Sequence, residues 1–304
     1  MQVFHDLSAI ISRQPTVLTI GAFDGVHLGH RHLIRSTVES ARATGSQSAL
    51  VTFFPHPSVV LGRAVPFYLT SNEEKLALLE GLGLDVVVVI EFTPETAQIR
   101  AAQFINLLAG NLRMREMWIG HDFALGYKRE GNVAFLHSMG AERGYAVHAV
   151  EPLMLENRPV SSSRVREALR AGDVRQANAC LGRPFQLNGI IVRGAQRGRV
   201  LGVPTANLAV WAEHAVPANG IYACRAHVGG AIYNAVTNIG TRPTFDDGLR
   251  TIEAHLLDFD GDLYGQPMAL DTVEYQRPEL KYDSVDALMA QMKKDIRLAR
   301  RSLT

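Results

Sequence analysis

Residues 86–90, Val-Val-Val-Val-Ile, constrain this 304-residue chain more than any other stretch. A run that is apolar on both faces suits a central strand of a parallel sheet with helices packed on either side. The flanking sequence keeps that rhythm. Residues 16–20 predict a strand and residues 21–29 a glycine-rich turn. Leu33, Ile34, Val38 and Ala41 then predict a helix that Gly45 stops. Residues 49–54 predict a second strand, and Ser71 followed by Glu74 predicts a capped helix start. Helix 95–109, strand 117–120, helix 131–142 and strand 145–150 continue the alternation. The expectation is a doubly wound α/β domain over about the first 150 residues, with helices at 163–171 and 173–181 leading out of it.

After Gly182-Arg183-Pro184 the rhythm changes. Segments 185–192, 221–227, 232–239, 251–257 and 268–276 are short and strand-like, divided by Gly, Pro, Asn and Asp, which predicts a small antiparallel β-barrel. A C-terminal helix over 284–303 carries Val285, Leu288, Met289, Met292, Ile296, Ala299 and Leu303 as one apolar stripe, most simply a packing face. Hydrophobic residues make up 47% and charged residues 20%, with a formal net charge of +1. That balance gives no bulk electrostatic reason for a nucleic-acid or membrane-surface partner. Apolar runs stop at about five residues where a membrane span needs about twenty. The N-terminus shows no basic stretch followed by an apolar one. Cys180 and Cys224, far apart, suggest neither a disulfide framework nor a zinc cluster. The expectation is a cytoplasmic chain that acts on small molecules as a monomer or weak homo-oligomer.

Two clusters carry chemistry in the first half. Gly21-Ala22-Phe23-Asp24-Gly25-Val26-His27-Leu28-Gly29-His30 follows the first strand and opens the first helix. Ligands of open α/β sheets bind beyond the carboxyl ends of the strands. A helix N-terminus there offers N–H groups and partial positive charge to phosphate. His27 and His30 share one helical face, where imidazole donors can stabilise charge growing on a phosphorus centre. Gly29 leaves room for a nucleotide against the backbone. The bare pair also fits a tight turn or half of a metal site. Ser161, Ser162, Ser163 and Arg166 stand at a later helix start. The hydroxyls and N–H groups can hold triphosphate oxygens and Arg166 can neutralise a departing pyrophosphate, though three serines alone also make an ordinary cap.

The second half holds a different set. Residues 189–199, Gly-Ile-Ile-Val-Arg-Gly-Ala-Gln-Arg-Gly-Arg, form a glycine- and arginine-rich flap with no Walker lysine motif. Gly194 and Gly198 let backbone N–H groups approach phosphate; a flexible hairpin is the plainer alternative. Thr205 and Asn207 lie two apart in an extended segment, so their neutral oxygens point the same way and suit a nucleotide-bound Mg²⁺, or belong simply to a turn after Pro204. In residues 251–256, Ile252, Ala254 and Leu256 share the apolar face and Thr251, Glu253 and His255 the other. Glu253 there could accept a proton from a hydroxyl attacking a γ-phosphate, or lie on a solvated strand face.

The decapeptide around His27 resembles the His-x-Gly-His signature of nucleotidyltransferases, which transfer AMP from ATP, and residues 161–166 resemble that superfamily's second signature. With Thr52-Phe53-Phe54-Pro55-His56-Pro57 and Gly120-His121-Asp122-Phe123-Ala124-Leu125-Gly126, the match narrows to bacterial riboflavin kinase/FAD synthetase along the first domain. The flap, residues 204–207, Asn238-Ile239-Gly240-Thr241-Arg242-Pro243-Thr244, residues 253–259, Leu263-Tyr264-Gly265 and Gln276-Arg277-Pro278 follow in that family's order. The resemblance implies a Rossmann-like FMN adenylyltransferase domain over 1–182 and a barrel riboflavin kinase domain over 183–304. ATP contacts would come from Gly21, Phe23, Asp24, His27, Gly29, His30, Ser161, Ser162, Ser163 and Arg166 in the first site, and from Gly194, Gly198, Thr205 and Asn207 in the second. It places His56, Asp122, Phe123 and Arg277 on flavin, Thr205 and Asn207 on Mg²⁺, and Glu253 as base. Phe54 stands where an acidic residue is expected, Ala124 and Leu125 replace Arg and Phe, Ser163 replaces Thr, and Tyr282 stands where Phe is commoner. Rival readings are an adenylyltransferase for another phosphorylated acceptor, a tRNA-charging enzyme, and a non-catalytic flavin sensor.

Overall fold

Burial on alternate sides explains the valine run. In the computed structural model, which describes residues 1–6, 12, 14–194, 202–241 and 250–304, the chain forms two compact units, Met1–Ser161 and Ser162–Thr304. The first contains β1 (Gln2–Phe4), β2 (Thr16–Ile20), α1 (Leu28–Ala43), β3 (Gln47–Phe54), α2 (Pro57–Val60), α3 (Asn72–Glu80), β4 (Val86–Glu91), α4 (Ala101–Leu112) and β5 (Met114–Gly120). The short strands β6 (Ala124–Leu125) and β7 (Gly131–Asn132) precede α5 (Val133–Arg143), β8 (Ala146–Val150) and the hairpin β9 (Met154–Leu155) and β10 (Arg158–Pro159). The main sheet runs β1-β4-β3-β2-β5-β8, parallel throughout. Val86 and Val88 join Leu18 and Ile20 in a core with Phe104 and Ile105 of α4 and Leu136 of α5. Val87 and Val89 face the other way, into a core with Ile34 and Val38 of α1 and Leu79 of α3. Each such side chain contributes about 1.5–3 kcal/mol by leaving water.

The capping box forms as its spacing predicts. Glu74 N–H donates to Ser71 Oγ (3.2 Å) and Ser71 N–H to the Glu74 carboxylate (2.7 Å). The helix expected over 95–109 starts later. Thr96–Gln98 makes a single 3₁₀ turn, Ile99 and Arg100 are extended, and α4 begins at Ala101. Glu130 decides this start, because its carboxylate accepts from Ala101 N–H (2.8 Å) and Arg100 Nε–H (2.7 Å). A cap supplied by a distant loop overrides local propensity.

The second unit holds α6 (Ser162–Arg170), α7 (Val174–Leu181), β11 (Phe185–Val192), β12 (Ala206–Val210), β13 (Gly220–Val228), β14 (Ala231–Thr241), β15 (Arg250–Leu256), β16 (Pro267–Arg277) and α8 (Val285–Ser302). The strands close as an antiparallel barrel, β11-β12-β15-β14-β13-β16. Leu187, Cys224, Thr237, Ala254 and Leu270 are fully buried. Helix α7 is tied to the barrel through Asn178, which donates to Thr272 O (2.8 Å) and accepts from Phe185 N–H (2.7 Å). The stripe of α8 has two uses. Ala299 and Leu303 pack on Ala223, Val236 and Val273, whereas Val285, Leu288 and Met292 stand over a cavity.

Candidate functional site

Strand order reverses between β2 and β5, and an open α/β sheet binds its ligand at the carboxyl ends beside such a reversal. The turn after β2 carries Gly21 to His27, the segment after β3 carries His56, and the segment after β5 carries Asp122 and Phe123. The first turn is strained. Phe23 (φ 50°) and Val26 (φ 40°) are left-handed without being glycine, at about 1–3 kcal/mol each. Asp24 offsets that strain. Its buried carboxylate accepts from Leu69 N–H (3.0 Å), Thr70 N–H (3.1 Å) and the Thr70 hydroxyl (3.3 Å), while Gly25 N–H donates to Thr70 Oγ1 (3.2 Å). Hydrogen bonds to a charged group contribute about 1.5–3 kcal/mol each, so this clasp outweighs the strain.

The clasp fixes the two histidines. His27 caps α1, its Nδ1 accepting from His30 N–H (3.2 Å), which makes Nε2 the protonated nitrogen of the neutral ring. The two rings stack at 3.5 Å between centroids, and the Phe23 ring meets His30 edge-on at 5.1 Å. Space at Gly29 is tight, since a Cβ there would lie 3.1 Å from the His27 ring and 3.2 Å from Val160 O. His56 caps α2 through Nδ1, which accepts from Ser58 N–H (3.1 Å), and its own N–H donates to the Tyr68 hydroxyl (3.1 Å). Asp122 is exposed, and Phe123 packs against the first unit's core. Ser161 ends the first unit, while Ser162, Ser163 and Arg166 lie in the first turns of α6 in the second.

In the barrel, strand register assembles the site. Val192 pairs with Asn207, Asn207 with Glu253, Glu253 with Asn238, Asn238 with Ile221, and Ile221 with Arg277. One lateral row therefore crosses six strands. Thr205, Asn238, Glu253 and Arg277 from this region line a cavity of about 680 Å³ roofed by Leu288 and Met292 of α8. Thr205 also lines a second pocket of about 530 Å³ with Tyr264, so it stands between two adjoining volumes. Asn238 Oδ1 and the Tyr282 hydroxyl are buried on the first cavity's wall without a hydrogen-bond partner among the described residues. Each such atom costs about 1–3 kcal/mol, which a polar ligand would recover. Gly194 lies against Asn207, and a Cβ at Gly194 would fall 2.2 Å from the Asn207 amide. Gly198 lies outside the described residues. Thr205 and Asn207 offer hydroxyl and amide oxygens, a hard neutral donor set of the kind magnesium takes alongside phosphate.

Arg277 is held by α8. Its guanidinium donates to Asp295 at 3.0, 3.2 and 2.6 Å, and Gln291 Nε2 donates to the same carboxylate (2.8 Å). The hydrogen bonds it donates to Asp295 push the arginine's pKa further up, so it stays cationic at the cavity edge.

Comparison with known proteins decides the family. Residues 10–164 match the FAD synthetase family model and residues 181–303 the riboflavin kinase family model. A bifunctional riboflavin kinase/FMN adenylyltransferase of Listeria monocytogenes is 35% identical over 92% of this chain and 90% of its own, and one of Escherichia coli K12 is 35% identical over 97% and 95%. The chain belongs to the bifunctional riboflavin kinase/FMN adenylyltransferase family. A crystal structure described as a macrolide-efflux protein from Streptococcus pneumoniae shares the fold of this family member over 98% of both chains, with a TM-score of 0.91 and 27% identity. Among the described residues here, no helix is long and apolar enough to cross a membrane.

Sequence reasoning missed three residues around these family sites. Asn238 opens the 238–244 motif, but only the register shows it beside Glu253. Asp295 left a readable signal, an acidic residue inside the apolar stripe of α8, three after Met292 and four before Ala299. Lys75 left none. It sits in Asn72–Glu80 among charged neighbours, yet is 3% exposed beneath the Gly21–His27 turn.

Proposed function

We propose that this chain performs two ATP-dependent reactions on flavin. In the barrel, the ribityl 5′-hydroxyl oxygen of riboflavin attacks the γ-phosphorus of ATP. The bond to the β–γ bridging oxygen breaks, ADP leaves, and Glu253 takes the hydroxyl proton to give FMN. In the α/β unit, an FMN phosphate oxygen attacks the α-phosphorus of a second ATP. The α–β bridge breaks, pyrophosphate leaves, and FAD forms. His27 and His30 stabilise charge at the phosphorus under attack.

The observation that carries the kinase assignment is the pairing of Glu253 with Asn207 on one side and with Asn238 on the other, where Glu253 and Asn238 line a cavity beside a second pocket and Thr205 is common to both. Flavin in the larger volume and nucleotide in the other would bring hydroxyl and γ-phosphate together beside Glu253. Arg277 contacts the flavin. A magnesium ion accompanying ATP neutralises phosphate charge when bound, and Thr205 and Asn207 are the groups that would hold it. Gly21, Phe23, Asp24, Gly29 and Ser161 shape the first nucleotide site, Gly194 the second, and His56, Asp122 and Phe123 the FMN side. The functional boundary falls at 182/183, and the chain works in the cytoplasm as a monomer or weak homo-oligomer. Incubation with riboflavin and Mg–ATP, followed by separation of products, should yield FMN and ADP first, then FAD and pyrophosphate. Unchanged riboflavin would contradict the reading.

A further inference from the structure

We propose that Lys75 is a positioning residue for adenylyl transfer: its ammonium pins the Ala22 carbonyl and thereby holds the left-handed turn that carries His27 and His30. The inference rests on the adenylyltransferase reading of the first unit.

The geometry is specific to an ammonium. Lys75 rises from α3, and its Nζ donates to Thr52 Oγ1 (3.1 Å), Phe53 O (3.3 Å) and Ala22 O (3.4 Å). The Thr52 hydroxyl spends its own proton on Ala22 O (3.0 Å), so it accepts from the lysine and does not donate to it. Three acceptors therefore meet the three N–H bonds of a protonated lysine. A neutral amine has two, and would drop one of the three acceptors; the longest contact is the one to Ala22 O (3.4 Å), which would then keep only the Thr52 hydroxyl. Ala22 lies two residues beyond β2 and immediately before Phe23 with its φ of 50°, and Phe53 lies near the end of β3. The clasp at Asp24 holds the middle of the turn and Lys75 holds its entry.

The same burial sets when the pin works. Desolvation pushes the ammonium down to about 8, with Asp24 partly opposing. Asp24 is the charged group facing it from the turn; Thr52, Phe53 and the Phe54 ring at 6.0 Å face it from β3 and carry no charge. Between about 8 and the ordinary value of 10.5 the unfolded chain binds this proton and the folded chain does not. Stability from this group therefore rises with pH across that window, while the pin on Ala22 is lost. Adenylylation and stability should move in opposite directions, which a purely structural lysine does not produce.

The test uses the full chain and Lys75→Met, close in length and uncharged, with riboflavin phosphorylation as internal control. The adenylylation kcat should fall by about tenfold or more with the KM for FMN changed by less than about threefold, and phosphorylation should stay within about twofold. In the unsubstituted chain, adenylylation should decline with a midpoint near pH 8, and that limb should vanish in Lys75→Met. A variant that adenylylates at the full rate, a limb that persists in it, or no limb in the unsubstituted chain overturns the proposal. Should the variant lose the thermal transition of its first unit, the unsubstituted chain's pH profile decides alone. Absence of FAD synthesis at every pH would instead contradict the adenylyltransferase reading itself.

Discussion

The two units place phosphate chemistry by opposite means. The α/β unit puts the groups proposed to react on turns beyond strand ends, where the backbone is strained and distant residues hold it: Asp24 on Leu69 and Thr70, Lys75 on Ala22. The barrel puts the groups proposed to react in the strands themselves, where hydrogen-bond register aligns Asn207, Glu253 and Asn238 without positive φ angles. A turn must be clamped by tertiary contacts, whereas a strand position is defined by its ladder. Damage should therefore spread differently in the two halves.

The largest expected effect separates them outright. Glu253→Gln removes the proposed proton acceptor and keeps the side chain's shape, so riboflavin phosphorylation should fall by ~10²-fold or more while adenylylation of supplied FMN is unchanged. Next come two matched glycine substitutions, assayed for both products. Gly194→Ala forces a Cβ to 2.2 Å from Asn207 and should lower phosphorylation by about tenfold or more. Gly29→Ala meets the His27 ring at 3.1 Å and should lower adenylylation somewhat less. Equal loss of both products in either variant would break the comparison.

A smaller effect sharpens the barrel's side of it. Asp295→Asn leaves Arg277, whose side chain is 16% exposed against 3% for Asp295, without its buried counter-charge. The unit should lose ~3 kcal/mol in denaturant unfolding, and the KM for riboflavin should rise about tenfold with a lesser change in kcat. Smallest is Ser284→Ala. Ser284 Oγ accepts from Ala287 N–H (3.2 Å) at the start of the helix that roofs the cavity, so the loss should be ~1 kcal/mol in thermal unfolding, with adenylylation untouched.

What was legible in the sequence follows the same division. Local features read directly: the Ser71–Glu74 box, the double-sided valine run, and the alternation of Thr251, Glu253 and His255 against Ile252, Ala254 and Leu256. Features created at long range did not. The start of α4 depends on Glu130, far along the chain, and so could not be placed from residues 95–109. Strand β12 spans only Ala206–Val210 and owes its place to partners on both sides. Lys75 looks like any charged helix residue until the Ala22 and Phe53 carbonyls close over it. Asp295 was half legible, since it interrupts an apolar stripe, but nothing in the sequence pairs it with Arg277.

Two separate reactions in one chain are tested most directly by mixing two crippled variants. Given riboflavin and Mg–ATP, Glu253→Gln alone should leave riboflavin unchanged, and His30→Ala alone should stop at FMN. The mixture should produce FAD, as FMN made by one molecule is adenylylated by the other. A mixture that yields no FAD, or a His30→Ala chain that makes FAD at the full rate, would contradict the account.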